Sequence, residues 1–324
     1  MTPLRVGIVG AGRSRNGLGP FLARACEQAS ARVVAVAGRT ADRARHNAAE
    51  LAATLGHDVA TAADVRALCA QDIDALLIAS PAEAHLEALE AALEHGLACL
   101  CEKPIVGLAE ADRGLACLQR FAAAKTVFVE NAQWPLILPV LDALHGSART
   151  NAAKLSMGLS PMHGGAEAMV SDSLPHLLSL LLELVPQQSR SSVHVRNVAI
   201  DSRDPLATLA NAVVEVGFEG GSLRAELHLQ QVPLQPRPFW FAVDGRRADR
   251  RIGKDYALSF VGNGQEVARP APLFALVAQF VELAKGSGSP QGEELRARLV
   301  AEAAVRLRLY AGVLARLFGG TSAI

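Results

Sequence analysis

The sequence offers no excess of charge to a polyanion: its 324 residues carry 32 lysines and arginines against 32 aspartates and glutamates, a formal net charge of zero. No long-range field therefore favours nucleic acid, an anionic membrane or an acidic tail, and a small-molecule partner is expected. Cysteine is sparse, with Cys26, Cys69, Cys99, Cys101 and Cys117 as the full set. An odd number without C-x-x-C spacing suggests neither a zinc site nor a disulfide framework. Reduced, mostly buried thiols are expected, with Cys99 and Cys101 sharing one face of a strand rather than chelating a metal. The opening "PLRVGIVGAG" has no basic segment, apolar segment or cleavage site ahead of it, and no later apolar run reaches membrane-spanning length. A cytoplasmic location is the expectation. Repeat arrays and low-complexity tracts are also lacking, and only "KGSGSPQG" (Lys285 to Gly292) reads as a flexible loop.

What is present has a clear order. Four short apolar runs, "RVGIVG", "RVVAVAG", "IDALLIAS" and "LACLCEKP", each lead through a turn into an Ala-rich amphipathic stretch, and "TVFVEN" (Thr126 to Asn131) closes the series. Strands that are apolar throughout, alternating with helices, imply a parallel sheet covered on both faces. The expected fold is therefore α/β, with a doubly wound Rossmann domain over residues 1–130. Past "QWP" the pattern changes to a helix, the strand "AKLSMGLS", a helix near Leu174 to Leu184, and several strands in succession. In "SLRAELHLQ", Leu223, Ala225, Leu227 and Leu229 alternate with Arg224, Glu226, His228 and Gln230, the pattern of a half-buried antiparallel strand. Residues 131–324 are thus expected to form an α+β domain on a mostly antiparallel open sheet. The last long stretch, "EELRARLVAEAAVRLRLYAGVLARLF", reads as one amphipathic helix that can pack back on the first domain.

Gly10 and Gly12 stand at the first strand-to-helix turn, where bare backbone can approach a pyrophosphate and a helix N-terminus can stabilise its charge. Arg13 and Ser14 follow in the same loop. The third glycine of the G-x-G-x-x-G pattern is displaced, so Gly17 or Gly19 must serve in a lengthened loop. The second strand ends Gly38-Arg39-Thr40, without the carboxylate that would bind ribose hydroxyls. Arg39 can instead contact a 2′-phosphate, with Thr40 adding a hydroxyl and Arg43 a further charge, which favours NADP(H) over NAD(H) while leaving NAD(H) as a second cofactor.

Glu102-Lys103-Pro104 follows a strand end on the edge where doubly wound sheets place ligands. Proline restricts the preceding backbone and so fixes how Lys103 leaves the chain. An ammonium there can bind a substrate oxygen and stabilise alkoxide character as hydride moves. Farther along, "VSDSLPHLLSLLLEL" sets Asp172 and His176 four apart, read as a helix start capped by Ser171 or Asp172 with Pro175 in the first turn. The pair is either a proton-transfer dyad or a cap beside a core histidine.

Together, the glycine loop, "SPAEAHLEALEAALEHGLACLCEKPIVGLAEA", "VFVENAQWP" and the Asp-x-x-x-His helix resemble the Gfo/Idh/MocA oxidoreductase family. The resemblance implies Lys103 and His176 as catalytic lysine and acid/base, and Asp172 as orienting or relaying protons. It places Ser80, Pro81 and Glu102 along the nicotinamide half of the cofactor, Asn131 and Trp134 near the substrate, no metal, and a homodimer or homotetramer built through the C-terminal sheet. Three departures stand out: the longer phosphate loop, the glycine pair Gly164-Gly165 set farther before Asp172, and Ser179 where an aspartate is frequent. His163, beside that pair, is read as a surface loop residue rather than a pocket one. The implied activity is hydride transfer between a nicotinamide and a hydroxyl or carbonyl carbon of a sugar, polyol or related polar metabolite. The rivals are a biosynthetic imine or ketone reductase, cofactor-assisted glycoside cleavage with the nucleotide retained, and a non-catalytic dinucleotide-binding regulator.

Overall fold

Strands without a polar face need cover on both sides, and the computed structural model, which describes residues 2–12, 17–147, 149, 151–253, 257–286 and 289–319, shows that arrangement in the first of two units. This unit comprises residues 1–131 and 273–307. Its strands are β1 (Leu4–Val9), β2 (Ala31–Ala37), β3 (Ala60–Ala62), β4 (Ala75–Ile78), β5 (Ala98–Cys101) and β6 (Phe128–Glu130). They form a parallel sheet in the order β3-β2-β1-β4-β5-β6, the doubly wound Rossmann arrangement. Between them run α1 (Gly19–Gln28), α2 (Ala41–Leu55), α3 (Val65–Cys69), α4 (His85–Glu94) and α5 (Ala111–Ala123). The short edge strand β3 and the helix α3 are additions to what the apolar runs indicated.

The second unit comprises residues 132–272 and 308–324. It holds α6 (Pro139–His145), β7 (Lys154–Leu159), α7 (Ala166–Leu184), β8 (His194–Ile200), β9 (Leu209–Phe218), β10 (Gly221–Gln230), β11 (Phe239–Val243), β12 (Arg246–Ile252), β13 (Leu258–Gly262) and β14 (Gln265–Arg269). The eight strands form one sheet in the order β14-β13-β12-β11-β7-β10-β9-β8, antiparallel except where β7 meets β10. As the alternation required, Leu223, Ala225, Leu227 and Leu229 are the buried residues of β10. Among the described residues no helix is long and apolar enough to cross a membrane.

Two further helices, α8 (Pro272–Ala284) and α9 (Pro290–Phe318), follow the second sheet. Leu276, Val277, Phe280 and Val281 of α8 join Val6, Ile8, Val33 and Val129 in the core of the first unit. The 29 residues of α9 run as one helix through the division at residue 307, as their amphipathic pattern indicated. Its Arg306 makes a buried ion pair with Glu130 at the end of β6, at 2.5 Å. All five cysteines are reduced and buried.

Candidate active site

In an open parallel sheet the crevice beyond the strands' carboxyl ends is the ligand edge, most of all where the strand order reverses, which here is between β1 and β4. Gly10 ends β1 at φ +80°, and a Cβ there would lie 2.4 Å from the Ser80 backbone nitrogen. Only glycine lets the two loops approach so closely. The displaced third glycine is Gly19, the first residue of α1, where a Cβ would stand 2.6 Å from the Ala11 backbone. Arg13 and Ser14 lie outside the described residues.

Three strand ends then supply polar groups. The Asn131 side-chain amide, just past β6, donates to the Glu102 carboxylate just past β5. Burial pushes Glu102 up to about 7, while the Asn131 bond and the Lys103 charge pull the other way. Asn131 Oδ1 and Ser80 Oγ, past β4, are buried without a protein partner. Buried polar atoms are normally satisfied, so this edge suits a ligand rich in hydroxyl and amide groups, as the nicotinamide ribonucleotide half of a dinucleotide is. The peptide between Lys103 and Pro104 is cis.

His85 lies in the "SPAEAHLEAL" stretch, where spacing alone gives it no role. It is fully buried at the start of α4, its Nε2 2.6 Å from the Ser80 carbonyl and its Nδ1 3.0 Å from that of Pro104. The ring thus lies between the Ser80-Pro81 loop and the loop carrying Lys103; burial holds its pKa below the ordinary histidine value, and the neutral ring's single N–H donates to one of the two carbonyls at a time. At the end of β2, Arg39 is exposed, and Thr40 is the N-cap of α2, its Oγ1 accepting the Arg43 backbone N–H at 3.2 Å. That hydroxyl proton remains available for donation.

The second unit corrects one expectation. Asp172 and His176 do not open a helix: α7 begins at Ala166, so His176 is its eleventh residue and Pro175 lies in its interior. The start is built by Gly165, at φ +95°, whose N–H bonds the Ala207 carbonyl while that of Ala166 bonds Asp204. The glycine pair therefore serves the helix entry, and no N-terminal field acts on His176. Asp172 and His176 still share a face, being one turn apart. The Trp134 indole N–H donates to His176 Nδ1 at 2.7 Å, so the neutral ring carries its proton on Nε2. Ser179 donates to the His176 backbone carbonyl at 2.7 Å, so its hydroxyl is occupied by the helix backbone. His163 is exposed, as read.

Residues 4–130 match the model of the oxidoreductase family with an NAD-binding Rossmann fold, Gfo/Idh/MocA. Over those residues the chain is similar to the nucleotide-binding domain of that family. Among curated relatives, inositol 2-dehydrogenase of Streptomyces avermitilis is 49% identical over 77 residues, 24% of this chain and 21% of that protein, so the match spans only about a fifth of the relative's length. Among solved structures, UDP-N-acetylglucosamine 3-dehydrogenase of Acidithiobacillus ferrooxidans aligns over 97% of this chain and 100% of its own with a TM-score of 0.64 at 23% identity. A 3-ketoreductase of Actinomadura kijaniata, in complex with TDP-benzene and NADP, aligns over 98% of both chains with a TM-score of 0.64 at 19% identity. These likenesses are likenesses of fold, and that fold extends over both units.

Proposed function

We propose that the protein is an NAD(P)-dependent oxidoreductase acting on a hydroxyl or carbonyl carbon of a sugar, polyol or related polar metabolite, with NADP(H) preferred. The observation that carries this reading is the group at the ends of β4, β5 and β6: a protonatable Glu102 held by Asn131, a Ser80 hydroxyl and Asn131 carbonyl awaiting partners, and Lys103 next in the chain. Relatives named as dehydrogenases support the same class.

A bound nicotinamide would supply hydride acceptance or donation, held by the Gly10-Gly12 turn, Ser80, Pro81 and Glu102. Lys103 binds the substrate oxygen and stabilises charge that develops on it, which matters most in the transition state. With Nδ1 occupied by Trp134, neutral His176 offers its Nε2–H as a donor, which suits polarising a carbonyl in the reduction direction. Taking a hydroxyl proton in oxidation requires the Trp134 bond to be given up, because a ring protonated on both nitrogens has no acceptor left. Asp172, on the same helix face, orients that ring. The exposed Arg39, at a strand end without a carboxylate, supports the preference for a 2′-phosphate.

The test is calorimetric titration of NADPH and NADH into wild type, Arg39→Ala and Lys103→Ala. NADPH should bind more tightly, and Arg39→Ala should weaken it selectively. Lys103→Ala should keep cofactor affinity while turnover falls by about 10²–10³-fold, the range for losing one oxyanion donor. Binding of neither nucleotide would remove the redox reading.

A further inference from the structure

Several arginines among the described residues pair with carboxylates: Arg66 with Glu94, Arg190 with Glu183, Arg224 with Glu215 and Arg306 with Glu130. Two arginines of the second unit differ. Arg237, in the loop before β11, buries Nε and Nη2 without a partner, and Arg250, on β12, buries Nε in the same way. Arg250 Nη2 donates to the Arg237 backbone carbonyl at 2.9 Å, which holds the two residues together.

Strand alternation explains the position of Arg250. It pairs with Phe260, and Ala248 two residues earlier pairs with Phe241, so it shares the aromatic face of the sheet. Its guanidinium carbon lies 5.1 Å from the Phe239 ring centroid and 5.9 Å from that of Trp134. Those two rings stack at 4.3 Å, and Trp134 is the residue bonded to His176. Burial and the neighbouring Arg237 charge push Arg250 down to about 10. Aromatic faces offset part of the buried charge but give its N–H groups no acceptor. Two adjacent guanidinium groups with unmet donors match the oxygens of an anion.

We propose that Arg237 and Arg250 bind an anionic oxygen group, carboxylate or phosphate, on the substrate handled at His176. The term substrate rests on the oxidoreductase reading; the anion site does not. The full chain, as wild type, Arg250→Met and Arg237→Gln, is titrated by calorimetry with inorganic phosphate and D-gluconate, with myo-inositol as the neutral control and NADPH binding measured on the same samples. Wild type should bind at least one anion and show no response to inositol. Each variant should weaken anion binding roughly ten- to a hundredfold, the range for charged hydrogen bonds, with NADPH affinity retained. Without anion, Arg250→Met should melt no lower than wild type, because it removes a buried charge that lacks a counterion. Tighter gluconate assigns a sugar acid, and tighter phosphate a phosphorylated metabolite. Failure of wild type to bind either anion, or equal anion affinities in all three proteins, overturns the proposal. Should Arg250→Met not fold, Arg237→Gln decides alone. Anion binding by a protein that binds neither NADPH nor NADH would instead overturn the oxidoreductase reading.

Discussion

The indole N–H of Trp134 fills Nδ1 of His176 and so favours the proton on Nε2. Nitrogen-15 spectra should therefore show the Nε2–H tautomer of His176 in wild type and a mixture in Trp134→Phe; a mixture in both would remove this control. Glu102 gives a second prediction. Its folded pKa of about 7 stands above the ordinary 4.5, so between those values the folded chain holds a proton that the unfolded chain has released. Its contribution to stability thus falls as pH rises from about 4.5 to 7, by at most about 1.4 kcal/mol per pH unit. Urea melts of the ligand-free protein should show Glu102→Gln gaining on wild type across that window, and parallel pH curves would refute it. Gly10, Gly12, Lys103 and His176 stand out as candidates in the sequence because they sit in ordered motifs. His85 does not, since its role depends on two loops meeting. Nor do Arg237 and Arg250, because no spacing rule shows that a charge will be buried without a counterion.

Among helices and strands, the apolar runs were decisive where burial is complete: β1, β4 and β5 appear within a few residues of where the composition put them. β3 escaped because Ala60-Thr61-Ala62 is short and mostly exposed, leaving little apolar signal. The start of α7 was misplaced for a different reason. Ser171, Asp172 and Pro175 imitate a cap and a first turn, yet the buried positions Met169 and Val170 continue the helix backwards to Gly165. Proline is tolerated in its interior despite removing one backbone bond, in a helix whose packing supplies most of the stability. The link between α9 and β6 is open to test. Glu130→Ala leaves Arg306 buried without its strongest partner and should destabilise by about 3–5 kcal/mol in urea melts, whereas Glu130→Leu with Arg306→Met should recover most of the loss. Equal losses in the single and double variants would show that the pair is not the anchor.

Seen as one molecule, the chain passes between its two units three times, after residues 131, 272 and 307. The amphipathic pattern of α9 showed that one face is buried but not in which unit, since periodicity records a buried stripe and not its partner. The outer face of the eight-stranded sheet carries Trp240, stacked on His228 at 5.4 Å and beneath Arg247 at 4.1 Å, among the charged pairs Lys154–Glu226 and Arg251–Glu266. We propose that this face forms the homodimer or homotetramer that the family resemblance implies. Sedimentation should give a dimer or tetramer for wild type and a smaller species for Trp240→Glu, and a monomeric wild type would remove that proposal.

The contribution of α8 to the first core also bears on how the protein is made. Leu276, Val277, Phe280 and Val281 leave the ribosome long after the sheet they cover, with residues 132–272 of the second unit synthesised in between. Until they arrive, the nascent sheet has apolar surface with no cover, a state in which chains are prone to associate wrongly. The nucleotide-binding unit is begun before the second sheet and finished after it, so a chain stalled between the two would contain every glycine of the phosphate loop and still lack a completed core.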